Sequence, residues 1–143
     1  MDRTYAEAET VEIAQDILAG LPVFADKATI LALQGDLGAG KTTLAKALAG
    51  LLHVQETVAS PTFVIAKFYP VPSHDFEMMV HMDAYRIDSP EELGPLGWQQ
   101  LVQRPKTLVV LEWPEKITDA LPTERNHFTI THEGDSRRIK QIQ

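Results

Sequence analysis

An α/β fold, with helices on both faces of a mainly parallel sheet, is predicted by three features of this 143-residue sequence. Two short runs, Ala28-Thr-Ile-Leu-Ala-Leu-Gln34 and Thr107-Leu-Val-Val-Leu111, are almost continuously apolar. Strands buried on both faces of a parallel sheet read this way. The first run passes directly into Gly35-Asp36-Leu37-Gly38-Ala39-Gly40-Lys41-Thr42, which fits G-x-x-x-x-G-K-[ST], the phosphate-binding loop. Beyond the loop, Leu44, Leu48, Leu51 and Leu52, with Ala45 and Ala47, recur at helical spacing. Strand, glycine loop and helix in that order are the context the motif demands. The expected architecture is therefore a three-layer P-loop NTPase fold, with a mainly parallel central sheet and antiparallel additions. One domain over 1–143 is expected at this length.

The remaining elements follow in chain order. Residues 5–20 predict an amphipathic helix, because Ala8, Val11, Ala14, Ile17, Leu18 and Leu21 recur at threes and fours. Thr4 with Glu7 offers a capping box, and Thr10 offers a later start. Gly20 and Pro22 end the helix. After the loop helix, Val58-Ala-Ser60-Pro61-Thr62-Phe63 reads as a loop entering a strand, since Pro61 biases Ser60 to extended backbone. Phe63–Tyr69 and Phe76–Met82 read as an antiparallel pair, inserted as a small extension after the first strand–helix unit. Val80, Met82 and Ala84 fall on one face, His81, Asp83 and Tyr85 on the other. Ser89 caps a helix start with Pro90 in its first position; Gly94, Pro95 and Gly97 limit its length, and a second short helix covers Trp98–Val102. His127–His132 and Arg137–Ile142, around Glu133-Gly134-Asp135-Ser136, predict a terminal hairpin whose solvated face carries Arg137, Arg138 and Lys140.

The loop sets the chemistry. Its glycines let successive N–H groups converge on an anion, and the following helix adds its free N–H groups and positive dipole end. Lys41 reaches the β- and γ-phosphates of a nucleotide, and the Thr42 hydroxyl ligates Mg²⁺. Hydrolysis also needs a group to hold or deprotonate the attacking water. Ser60/Thr62, His81/Asp83 and Glu112 are the candidates. Asp83 and Glu112 each follow a β-rich run, which places a carboxylate at a strand end, where ligands of open parallel sheets bind. His81 has no zinc partner at helical spacing and reads as a hydrogen-bonding residue beside Asp83. Trp113 reads as core or as a lid over the site, and the sequence favours core.

Composition narrows the partners. Net charge is −7, from 20 acidic and 13 basic residues, so the chain has no general attraction for polyanions. Cysteine is absent, which excludes disulfide partners and thiolate metal sites. No run approaches membrane-spanning length and the N-terminus lacks an apolar leader, so a cytoplasmic protein without a membrane partner is expected.

Four motifs in this order, Gly35 to Thr43, Ser60-Pro-Thr-Phe63, His81-x-Asp83-x-Tyr85-Arg86 and Glu112-Trp-Pro-Glu115, resemble the TsaE family. The resemblance extends over nearly the whole chain, Glu92 to Gly97 included. It implies a Mg²⁺-dependent ATPase that supports threonylcarbamoyladenosine formation at position 37 of tRNA. The implied partner is the TsaB–TsaD complex, reset by ATP hydrolysis, with tRNA met only through that complex. By motif position the resemblance implies phosphate binding along Asp36, Leu37, Gly38, Ala39, Gly40, Lys41, Thr42 and Thr43. Thr42 and Glu112 correspond to Mg²⁺ ligands and Ser60–Thr62 to a switch segment. Asp83 activates water or holds a metal-bound water. Thr10 is implied near the base or ribose, with the Gly134–Arg137 turn approaching from the other side.

Two other readings share the loop. A small P-loop kinase needs an acceptor site and an Arg-bearing lid, and Arg86, Arg104 and Arg125 form no lid-like cluster. A non-catalytic ATP-sensing module that binds nucleotide and a partner is the reading from another class.

Overall fold

The computed structural model describes residues 1–56, 58 and 66–143. Ser60, Pro61, Thr62 and Phe63, with the first part of the strand expected from Phe63, lie outside the described residues. The described chain forms β1 (Asp2–Tyr5), α1 (Thr10–Gly20), β2 (Thr29–Gln34), α2 (Lys41–Leu51), β3 (Ala66–Pro70), β4 (Met78–Asp83), α3 (Trp98–Val102), β5 (Thr107–Glu112), β6 (Asn126–Glu133) and β7 (Ser136–Gln141). Short 3₁₀ turns occupy Glu7–Glu9, Pro90–Leu93 and Pro114–Ala120.

These seven strands make one sheet, ordered β1-β7-β6-β2-β5-β4-β3. The central four, β6, β2, β5 and β4, are mutually parallel, and antiparallel strands flank them on both sides. The predicted α/β fold with a parallel centre and antiparallel additions is the one observed. Alternation along β2 and β5 builds the layers. Leu31, Leu33, Leu108 and Val110 pack with Ile13 and Ile17 of α1 and Leu44 and Leu48 of α2. Ile30, Val109 and Leu111 pack on the opposite face with Leu93, Trp98, Leu101 and Ile117. The second layer is thus built from short pieces, and Trp98 anchors it by donating its indole N–H to Ala120 O at 3.0 Å.

Two expectations are corrected. The first helix begins at Thr10 rather than Tyr5. Asp2–Tyr5 is instead an edge strand against β7, because Tyr5 buries its ring in the core and the strand's N–H groups find partners there. The second concerns β4, which is no part of a separate extension. Met79 faces one layer and Val80 and Met82 the other, so the strand is buried on both faces and pairs in parallel with β5. The terminal hairpin forms as expected, β6 pairing antiparallel with β7, and β6 also pairs in parallel with β2, which gives the hairpin a place in the central sheet.

His127 on β6 carries a consequence for stability. It is buried, donates from Nε2 to Gln34 Oε1 at 2.9 Å and accepts at Nδ1 from Arg125 Nε at 3.1 Å. Burial, then the Arg125 charge, hold its pKa below the ordinary histidine value. The unfolded chain therefore takes up a proton in a range where the native ring stays neutral, and stability falls as pH falls through that range. Thermal unfolding from about pH 7 to about pH 5 should show this slope. The substitution His127→Gln should flatten it; an unaltered slope would assign the effect to carboxylates.

Candidate functional site

The carboxyl ends of β2, β4 and β5 meet at one edge of the sheet, and the phosphate loop leaves from β2 there. Gly35 opens the loop where there is no room for a side chain: a Cβ would lie 2.5 Å from the Ile130 carbonyl oxygen. Gly40 closes it at φ +109°, a left-handed conformation that sets the first turn of α2. Between them the loop wraps a cleft of about 180 Å³, lined from Leu37 through Thr43 and by Asp83, Glu112, Trp113 and Arg137. That is below the roughly 300 Å³ at which pockets for whole small molecules begin. The cleft is sized for small anionic groups and a cation rather than for a whole small molecule.

Lys41, buried at the start of α2, donates to the carbonyls of Gly35 and Asp36, the latter at 2.9 Å. Its ammonium lies 4.2 Å from the centroid of the Trp113 ring. Burial lowers its pKa below the usual lysine range, opposed by the Glu112, Glu115 and Asp83 carboxylates. One residue on, Thr42 Oγ1 donates to Glu112, with both carboxylate oxygens at 3.0 Å. Glu112 ends β5 and is only 3% exposed, so this carboxylate belongs to the site and not to the surface. Asp83, level with Glu112 on the neighbouring strand, uses Oδ1 to accept the Tyr85 N–H at 2.9 Å. Burial pushes its carboxyl above the usual range; the Tyr85 N–H opposes this and the Glu112 charge adds to it.

A hydroxyl and a carboxylate facing each other at the end of a phosphate loop are the hard oxygen donors Mg²⁺ takes. Among the described residues no group of three or more His, Cys, Asp or Glu is placed to hold a metal. A cation held by Thr42 and Glu112 would therefore complete its octahedron with water and phosphate oxygens, the usual way Mg²⁺ is bound.

The structure thus gathers Asp36 to Thr43, Asp83 and Glu112 at one edge. Thr10 stands apart from the residues lining the cleft: it is buried at the start of α1, its hydroxyl donating to Glu7 O at 2.6 Å. Thr62 lies outside the described residues. His81 is corrected, because its Nε2 meets Glu112 and not Asp83. Trp113 is corrected too. Its backbone is left-handed at φ 61°, an uncommon conformation for a bulky residue, and it turns the chain after Glu112 so that the half-buried indole walls the cleft. Tyr85 packs against it, ring centroids 4.8 Å apart. Arg137 is the third correction. Its side chain is 15% exposed, not solvated, and lies over Gly40 on the cleft wall. Strand alternation offered no cue to this, since Arg137 reaches the loop only because β7 runs beside β6.

Residues 4–140 match the family model described as "Threonylcarbamoyl adenosine biosynthesis protein TsaE". The chain is 38% identical to the tRNA threonylcarbamoyladenosine biosynthesis protein TsaE of Bacillus subtilis, over 95% of this chain and 80% of that one. It is 34% identical to the Haemophilus influenzae protein of the same name, over 85% of this chain and 75% of the other. Among solved structures it resembles Bacillus subtilis YdiB, with a TM-score of 0.76 and 31% identity over 99% of this chain and 83% of that one.

Proposed function

The chain belongs to the TsaE family of tRNA threonylcarbamoyladenosine biosynthesis proteins, and on that premise we propose that it is a Mg²⁺-dependent P-loop ATPase serving the TsaB–TsaD complex. The observation that carries the reading is the Thr42–Glu112 contact across the cleft. It joins a hydroxyl next to the phosphate lysine to a carboxylate seventy positions away, and a structural loop needs no such pairing.

On this reading residues 1–143 form a single ATPase domain. Backbone N–H groups from Asp36 to Thr43 and the N-terminus of α2 cradle the phosphates. Lys41 exchanges its loop carbonyls for β- and γ-phosphate oxygens, and Arg137 adds positive charge from the opposite wall. Thr42 and Glu112 would hold the cation, which when bound would neutralise charge on the β- and γ-phosphates. Asp83 accepts a proton from the attacking water or, with the cation bound, would orient a water beside it; its raised pKa suits the first role. Trp113, with Tyr85 packed against it, walls the cleft against bulk water. Thr62 contributes from the switch segment, and Thr10 approaches the base or ribose. The product is a reset of the TsaB–TsaD complex between rounds of modification at position 37 of tRNA. The tRNA is reached through that complex, which accords with the −7 charge of this chain. No helix among the described residues is long and apolar enough to cross a membrane, and the reading places the protein in the cytoplasm.

Phosphate release from ATP tests it. Release should be slow for the chain alone and strongly stimulated by TsaB–TsaD. Tight nucleotide binding with negligible release in both conditions would leave a nucleotide sensor in place of the ATPase.

A further inference from the structure

His81 is fully buried, and a buried imidazole without a polar partner costs free energy that an aliphatic side chain would not. Its partner is Glu112, whose Oε2 lies 2.5 Å from His81 Nε2. Facing a carboxylate, Nε2 carries the proton and donates it. The strands dictate the meeting. On parallel neighbours β4 and β5, His81 stands opposite Val110 and Asp83 opposite Glu112. His81 and Glu112 therefore project to the same face, the one on which Val110 packs with α2.

The Thr42 hydroxyl lies equally far from both Glu112 oxygens, at 3.0 Å each, and does not choose between them. His81 contacts Oε2 and breaks that symmetry. We propose that His81 is a positioning residue for the cation site, pinning one oxygen of Glu112 so that the carboxylate meets Thr42 and the cleft in a single orientation. A glutamate side chain has three rotatable bonds and loses substantial freedom when fixed. A partner that fixes it beforehand lowers the ordering cost of binding the cation. Hydrogen-bond partners of metal-ligating carboxylates act in this way. The inference rests on Thr42 and Glu112 holding the cation.

The test is Mn²⁺ binding to the full chain saturated with ADP, followed by electron paramagnetic resonance, with ADP affinity measured separately in chelator. His81→Leu should weaken Mn²⁺ binding on the order of tenfold or more and leave chelator-measured ADP affinity unchanged. His81→Gln, whose amide N–H reaches close to the Nε2 position, should restore most of the loss. Native Mn²⁺ affinity in His81→Leu, or equal weakening in the Leu and Gln variants, would overturn the proposal. If His81→Leu does not fold, His81→Asn replaces it: its amide is one methylene shorter, so Mn²⁺ affinity equal to that of His81→Gln overturns the proposal and weaker binding supports it. Glu112→Ala in the same assay separates the two levels. Unchanged Mn²⁺ binding there removes the cation site itself, whereas a loss there without one in His81→Leu removes only the positioning role.

Discussion

Replacing Lys41 by alanine is expected to reduce ATP hydrolysis at least about a hundredfold, the scale on which a lost charge-stabilising donor acts in a preorganised site. The effect is large because the loop's other phosphate ligands are neutral N–H groups. Lys41 is the cation of the loop itself, and a neutral water entering the cleft in its place would not supply the charge. The fold should survive. Lys41 sits at the first position of α2, where alanine is a good helix former, and the core contacts of Leu44 and Leu48 do not involve it. Two carbonyls, of Gly35 and Asp36, lose their donor, so a modest drop in melting temperature should accompany the catalytic loss. Phosphate release and thermal unfolding measured side by side separate the two effects. Undiminished turnover in Lys41→Ala would sink the ATPase assignment.

The second large effect is expected at Glu112. Glu112→Ala should raise the Mg²⁺ concentration needed for half-maximal hydrolysis by roughly ten- to a hundredfold or abolish activity, since on the proposed function one of the two protein ligands is lost. The same change strands His81 Nε2 in the core, at a cost of about 1–3 kcal/mol for an unsatisfied buried group. Glu112→Gln resolves the ambiguity this creates. It keeps an oxygen for His81 and Thr42 but removes the negative charge, so the Mg²⁺ shift should persist while most of the stability returns. A Mg²⁺ titration unchanged in both variants would count against Glu112 as a metal ligand.

Much of the architecture was legible because its determinants are local. The Gly35–Thr42 spacing, the apolar β2 and β5 runs and the helical period after Thr43 each describe consecutive residues. Both central strands and α2 form where these signals place them. Local signals failed where two elements compete for one stretch. At the N-terminus a helical period from Ala8 extends back past the true start, and pairing with β7 claims Asp2–Tyr5. At β4 the antiparallel partner β3 was legible as a neighbour in sequence. The parallel partner β5, more than twenty residues away, was not. The same limit applies to side chains. His81 was read against Asp83, its neighbour in sequence, although the pleat and the strand order hand it to Glu112.

The sequence by itself determined that a strand, a glycine loop and a helix would follow one another over 29–51, because backbone conformation there follows from glycine freedom and short-range period. It also determined that Asp83 and Glu112 would stand at strand ends. Only the tertiary structure decided that Glu112 would meet Thr42 and His81, that Trp113 would wall the cleft and that Arg137 would lie over Gly40. Each of these depends on which strands become neighbours and in what register, a choice made by burial of whole faces. No short stretch of chain carries that information, and the site's chemistry is set by it.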